Sequence, residues 1–459
     1  MSGKRGRTDA ARESLLRRAE KLLRTERPAA AVPGASANRF SDDAVFRSLP
    51  GYEEIRLYQE IGRSLGIPNP YFRLHEGRAG ARTRIGGHEI LNFSSYDYLG
   101  LNGHPEIMAV AKEAIDRYGI SPGASRCVAG ERSVHRNLER ALAEIYGAED
   151  CCVFVSGWAT NLGVIGQIVD SRDLLISDSI VHNSAVTGAV LSGAQRRSFP
   201  HNDLDALEML LAETRGKFRH ALIVIEGLYG MDGDYVDLPR LLEIKRRYDA
   251  WLMVDEAHAL GVIGERGFGI AERFGIDPTQ VEIWMGTLSK ALVACGGYIA
   301  GTATLIDYLK NTVGAFVYSV AMPPVIAATA EKALQIMRGE PARVARLREN
   351  AVLFRKLAKE AGLDVMGADA VAVAPVIVQD TLLAVVLSEQ LLQSGINVMP
   401  VMYPAVPANG ARLRFFLTAA HTASEIRRAV ETTANALRTA RERAQELRHS
   451  AVASRLRSA

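Results

Sequence analysis

Several features of specialised environments are missing from this sequence. No apolar run approaches the roughly 20 residues that a bilayer-spanning helix needs, so a membrane span is not expected. The basic N-terminus is not followed by the apolar stretch of a secretory signal. Cysteine is scarce, with four in 459 residues. Cys151 and Cys152 are adjacent, and neither they nor Cys127 and Cys295 show a metal-ligand spacing. That pattern argues against a disulfide framework or metal centre and predicts reduced, small core residues in a cytoplasmic protein. A dominant charge is missing too: 55 Lys and Arg face 52 Asp and Glu, a net +3. Nucleic acid is therefore not an implied partner of the whole chain. Internal repeats are absent.

What remains is ordinary globular composition, 48% hydrophobic and 23% charged, in a chain long enough for two or three packed domains. Residues 1–38 read as a basic arm and linker. The first 27 carry nine Lys and Arg against four Asp and Glu. Leu15, Leu16, Ala19, Leu22 and Leu23 recur at helical spacing, and Pro28 to Asn38 is rich in Ala, Pro, Gly and Ser. Residues 39–90 read as a segment packing on the core. The span 91–335 alternates short apolar runs with helical periods: Cys151–Val155, Leu174–Ser177, Ala221–Ile225, Trp251–Val254, Ile283–Met285 and Tyr298–Ala300. Runs this short and rich in Val, Ile and Leu predict strands covered on both faces, in an α/β domain with a mainly parallel sheet. A helix is expected around Val325–Arg338. A smaller α+β domain follows over 336–440, with strands at Ala374–Val378, Asn397–Met402 and Leu413–Leu417, then a polar tail over 441–459.

Polar residues follow the predicted strands, at the end where ligands sit in such sheets. Lys290, in Gly286-Thr-Leu-Ser-Lys290, stands just past one strand. A desolvated lysine loses its charge more easily, and a neutral amine can form a Schiff base with an aldehyde. A solvated loop lysine fits the same text. Asp255, in Val254-Asp-Glu-Ala-His258, ends another strand. A carboxylate there can hold a proton on a pyridine nitrogen, and it can equally cap a helix. His258 is placed to reach a phenolic oxygen on such a ring. Ser156-Gly157-Trp158 precedes a helical stretch, where glycine admits a close approach and free amides attract phosphate. His182, in Ser177-Asp-Ser-Ile-Val-His182, can stack on a flat ring or serve a purely structural role. Arg412 and Arg414 fall on one face of a strand, and the apolar residues after Arg414 predict that it is the better buried. Arginine grips carboxylates through paired bonds, although an interdomain ion pair would need the same residue.

In order and spacing these segments resemble the α-oxoamine synthase family of fold-type-I pyridoxal-phosphate enzymes. The resemblance also rests on Phe93-Ser-Ser-Tyr-Asp-Tyr-Leu-Gly100, Gly123-Ala-Ser-Arg126, Glu226-Gly-Leu-Tyr-Gly-Met-Asp-Gly233, Gly296-Gly-Tyr298 and His421. It covers the chain from about Leu91 to Thr422. It implies a large domain with a mainly parallel seven-stranded sheet, a smaller C-terminal α+β domain, and pyridoxal 5'-phosphate as cofactor. The implied reaction joins a small amino acid to an acyl thioester, with loss of CO2 and thiol, to give an α-amino ketone.

By the same resemblance, Lys290 would carry the cofactor and move the α-proton. Asp255 would face the pyridine nitrogen, His258 the phenolic oxygen, and His182 the ring face. Ser156, Gly157, Trp158 and Thr287 would hold the phosphate or the cofactor's edge, and Arg414 the amino acid's carboxylate. A homodimer with its site at the interface is implied, Ser319 reaching the neighbour's phosphate. Asn69-Pro-Tyr-Phe72 and Tyr403-Pro-Ala-Val406 are similar to polyketide-associated members, so an acyl carrier protein is a candidate donor and the basic arm its dock. Two positions depart from the family: Tyr96 stands where Asn is common, altering a substrate pocket, and Gly230 where Ser is usual. An aminotransferase and a non-catalytic partner subunit are the rival expectations.

Overall fold

A computed structural model of the chain describes residues 46–457 apart from 368, 404 and 408. The predicted basic helix and linker lie outside the described residues. Contacts divide the chain into two compact units. One comprises the described part of Met1–Leu74 with Val378–Leu413 and Glu431–Ala459, and the other His75–Ile377 with Arg414–Val430.

The larger unit opens with a hairpin of β1 (Arg82–Ile85) and β2 (His88–Asn92), turned at Gly86-Gly87. Its centre is a sheet of seven strands: β3 (Asp150–Phe154), β4 (Leu174–Asp178), β5 (Gln195–Phe199), β6 (Ala221–Glu226), β7 (Trp251–Asp255), β8 (Ile283–Thr287) and β9 (Gly297–Gly301). The spatial order is β3-β9-β8-β7-β6-β4-β5. Only β9 runs against the others, so the sheet is mainly parallel. The expected runs fall on β3, β4, β6, β7, β8 and β9. Strand β6 is buried at every position, as expected where helices cover both faces. Strand β5, Gln-Arg-Arg-Ser-Phe, escaped the apolar criterion. It lies at the sheet edge with its first four residues exposed, so nothing selects for hydrophobicity there, and its two arginines discourage pairing with another edge.

The helix Gly157–Ile168 packs on β8 and β9 and against the helix Asn183–Ser192. The approach requires small residues: a Cβ on Gly157 would lie 2.8 Å from Thr287 Oγ1, and one on Gly297 would lie 2.6 Å from Gly157 Cα. The helix expected around 325–338 spans Pro324–Gly339. In the smaller unit, helix Thr381–Gln393 is capped by Asp380, whose side chain accepts from Leu383 N. Strands β11 (Ile396–Asn397) and β12 (Met399–Val401) follow it. Strand β10 spans Val373–Gln379 and β13 spans Ala411–Phe416. The expected tail belongs to one long helix, Ala423–Arg457.

Two expectations are corrected. Cys151 and Cys152 are buried, but Cys127 and Cys295 are exposed, because Cys127 lies on the short π-helical turn Arg126–Gly130 and Cys295 in the loop before β9, neither on a core strand. Arg412, not Arg414, is the more deeply buried: it is only 5% exposed. Arg414 is half-buried, with its guanidinium 4.7 Å over the Phe416 ring. The apolar residues that suggested burial provide a shelf for the cation. No described helix is long and apolar enough to cross a membrane, and no metal-binding cluster occurs among the described residues.

Candidate active site

The site grows from strand ends that share one height. Register pairs Glu226 at the end of β6 with Asp255 at the end of β7, and Asp255 with Met285 on β8. The Asp255 carboxylate is fixed on both oxygens: Oδ2 accepts from Asn161 Nδ2 at 2.8 Å, and Oδ1 from Ala257 N at 2.9 Å. Asn161 reaches it from helix Gly157–Ile168 and also donates to Ser184 Oγ at 3.0 Å.

Glu226 ties two loops. Its Oε1 accepts from His182 N at 2.7 Å and its Oε2 from Gly230 N at 3.2 Å. Burial, and then the charge of Asp255, pushes the Glu226 carboxyl up to about 8. His182 caps helix Asn183–Ser192, with Nδ1 2.7 Å from Ser184 Oγ. Burial lowers its pKa, with Lys290 and Arg414 adding to the effect against Asp255.

Lys290 lies past β8, its Nζ 5.6 Å from the Tyr96 ring centroid. Among the described residues it forms no ion pair or hydrogen bond. Burial draws its amine down to about 8; Asp255 and Glu226 oppose this and Arg414 reinforces it. Lys290 and His182 therefore lie within electrostatic reach of Asp255 and Arg414 and of each other. His258 joins them. Its Nδ1 lies 2.7 Å from Tyr98 Oη, and burial, followed by the cations Lys290 and Arg414, holds its pKa well below the usual imidazole range.

Arg414 has no carboxylate partner among the described residues. Nη1 donates to Gly230 O at 2.9 Å, Nη2 reaches Tyr96 Oη at 3.4 Å, and Nε is buried without a partner. A guanidinium held by a carbonyl and a phenol suits an incoming carboxylate. At the start of helix Gly157–Ile168, Ser156 Oγ accepts from Ala159 N at 3.4 Å, leaving the Gly157 and Trp158 amides available to an anion. Thr287 Oγ1 donates to Gly296 O at 2.9 Å and lies 2.9 Å from Ser289 Oγ. Ser319 is not drawn into this cluster; its Oγ donates to Val320 O at 3.1 Å.

The sequence reading missed Asn161, Tyr98 and Glu226 as site residues. Asn161 lies one turn inside a helix, and nothing in its local text marks it. Tyr98 and Glu226 fall within the segments that resemble the family, and only their contacts with His258, His182 and Gly230 mark them as site residues.

The unpartnered lysine amine, the doubly held carboxylate, the unpaired guanidinium and the free helix amides fit pyridoxal phosphate, which brings an aldehyde, a pyridine nitrogen and a phosphate. Comparisons with known proteins agree. The class I and II aminotransferase family matches residues 88–432. An 8-amino-7-oxononanoate synthase of Geobacter sulfurreducens is 40% identical over 386 residues, covering 84% of this chain and 96% of the relative. A serine palmitoyltransferase of Sphingomonas wittichii superposes with a TM-score of 0.82 at 28% identity, over 86% of this chain and 98% of that one. A structure described as SPT with PLP gives 0.82 at 26% identity, over 87% and 99%. The chain belongs to the class I and II aminotransferase family and, within it, to the pyridoxal-phosphate-dependent α-oxoamine synthases.

Proposed function

We propose that the chain catalyses the decarboxylative condensation of a small amino acid with an acyl thioester. The single observation that carries this reading is the convergence of Lys290, Asp255, His182 and the unpaired Arg414 in one field. Pyridoxal phosphate supplies an aldehyde for the amine and a protonated pyridine that accepts the electron pair left at the α-carbon. Lys290 would hold the cofactor through its amine and would take the α-proton of the bound amino acid. Its depressed pKa keeps a useful fraction of the amine neutral at mild pH. Asp255, held by Asn161 and the Ala257 amide, would keep the pyridine proton in place. His182 would cover the ring, and His258, its Nδ1 held by Tyr98, would serve the phenolic oxygen. Ser156, Gly157, Trp158 and Thr287 would receive the phosphate end. Arg414 grips the amino acid's carboxylate, with Tyr96 beside it. The α-carbon would then bond to the thioester carbonyl carbon, the C–S bond would break and the thiolate would leave, taking a proton from solvent. The C–C bond to the carboxylate would break with loss of CO2, and Lys290 would return the α-proton to the α-carbon.

A homodimer is part of the proposal. Val186, Val190 and Leu191 expose an apolar stripe on the helix that begins beside His182, and Tyr318 and Val320 flank Ser319 with their side chains exposed. Such faces favour association, which would bring Ser319 to a neighbour's phosphate. The acyl donor is a coenzyme A or carrier-protein thioester. Deleting residues 1–38 and comparing both donors tests the arm as a carrier dock; unchanged preference removes it. Four free cysteines suit a reducing cytoplasm.

The test is direct. Purified holoenzyme receives glycine, alanine or serine with a set of acyl thioesters, and thiol release and product mass are followed. Thiol release with an amino-ketone product is expected. Amino-group transfer from the amino acid to a keto acid, without thiol, would replace the reading with an aminotransferase.

A further inference from the structure

His201 has no part in the chemistry above, yet it sits between two acids. Its Nδ1 lies 3.0 Å from Asp178 Oδ2 and its Nε2 lies 3.0 Å from Asp234 Oδ2. Ionised carboxylates only accept, so both bonds form only when both ring nitrogens carry protons. Burial alone would lower the His201 pKa; the bonds to Asp178 and Asp234 override it and raise it to about 10. Asn202 repeats the bridge: its backbone N donates to Asp178 Oδ2 at 2.9 Å and its Nδ2 to Asp234 Oδ2 at 3.1 Å. It does so at φ 57°, a left-handed conformation that Asn tolerates better than most residues. The Tyr229 ring closes over the imidazole edge-on, with centroids 4.5 Å apart.

The bridge joins two parts of the site. Asp178 ends β4, and His182 stands four residues later. Asp234 closes the turn after β6, where Tyr229 N donates to Asp234 O at 2.8 Å and Gly233 N to Tyr229 O at 2.9 Å. Gly230, inside that turn, provides the carbonyl that accepts from Arg414 Nη1. We propose that His201 is a positioning residue for substrate carboxylate binding: as a cation between Asp178 and Asp234 it fixes the turn that aims Arg414. This rests on the role given to Arg414 above. The charged and titratable groups around His201 are Asp178, Asp234 and Tyr229, with Asn202 as the neutral partner.

The test uses holoenzyme and two ligand sets. Glycine, alanine and serine carry the carboxylate; methylamine, ethylamine and ethanolamine lack it. Dissociation constants are titrated through the cofactor's absorbance. His201→Gln and Asp234→Asn are each expected to weaken the amino acids about tenfold, the loss of one charge-assisted bond, and to leave the amines unchanged. The double variant should be no weaker than either single one, because both break the same link. Equal weakening of both ligand sets, or none for the amino acids, overturns the proposal. Asp234→Asn, at a partly exposed side chain, serves if His201→Gln does not fold. Arg414→Lys separates the two claims. If it spares amino-acid binding, the carboxylate role of Arg414 fails. If it weakens binding while His201→Gln does not, only the clamp fails.

Discussion

A Cβ at position 230 would lie 2.3 Å from His258 Nε2. The imidazole cannot retreat freely, because Tyr98 holds its other nitrogen and the Phe416 ring is stacked 6.3 Å away at an interplanar angle of 10°. Gly230 therefore makes room for His258, while its carbonyl and amide serve Arg414 and Glu226. Gly230→Ala should cost about 1–3 kcal/mol of stability, the range for overpacking a filled interior, and should lower kcat by moving His258. Thermal unfolding and steady-state rates check this; an unchanged kcat would mean that the ring shifts harmlessly. Lys290 gives a second prediction at this scale. Only the neutral amine adds to an aldehyde, and burial has brought its pKa to about 8. The rate at which apoprotein takes up pyridoxal phosphate should rise with pH and level off above about 8. A flat profile from pH 6 to 9 would contradict the shift.

Strands and helices carry these side chains to one place. Asp255 and Glu226 are neighbours because β6 and β7 are parallel and in register, and Asn161 reaches Asp255 because Gly157 and Gly297 let a helix lie close on the sheet. Asn161→Ala would leave Asp255 Oδ2 without its donor. Cofactor affinity should fall about tenfold, the scale of one lost buried bond, read as a shift in the pyridoxal phosphate titration. Much of this framework was legible in the sequence. Strands β3, β4, β6, β7, β8 and β9 announce themselves because burial on both faces demands continuous apolar text. Strand β5 does not, since an edge position accepts Gln, Arg and Ser. Lys290, Asp255 and His182 stand out through their places at or just past strand ends, and Arg414 through its place within a strand beside Arg412. Asn161 and the His201 bridge were not: each depends on contacts between residues 23 to 94 positions apart, and no local periodicity records that. The burial order of Arg412 and Arg414 was misread because apolar neighbours can shelve a cation as well as enclose it.

Across the molecule the buried titratable groups set how stability follows pH. His135, His182, His258 and His421 have pKa values lowered mainly by burial, His421 to about 4. The unfolded chain binds protons at these sites that the native chain refuses, so stability rises as pH climbs towards 6.5. Glu226 and Glu256 are raised to about 8 by burial, and His201 is raised to about 10, against burial, by its bonds to Asp178 and Asp234. These hold protons that the unfolded chain has released, so their contribution is lost as pH rises through their native values. Between pH 4.5 and 6.5 the histidines and the two glutamates pull stability in opposite directions; between 6.5 and 8 the glutamates and His201 lower it, and the lowered Lys290 adds a rising contribution only from about pH 8. The apoprotein's melting temperature should drop between pH 6.5 and 8. Monotonic gain over that range would show that the carboxyls are not held neutral.

The most direct measurement is thiol and CO2 release from amino acid and acyl thioester by the wild-type holoenzyme and by Lys290→Ala. The account predicts equal amounts of thiol and CO2 from the wild type and neither from the variant, which should also lose the bound cofactor's absorbance band. Thioester-dependent turnover by Lys290→Ala would contradict it.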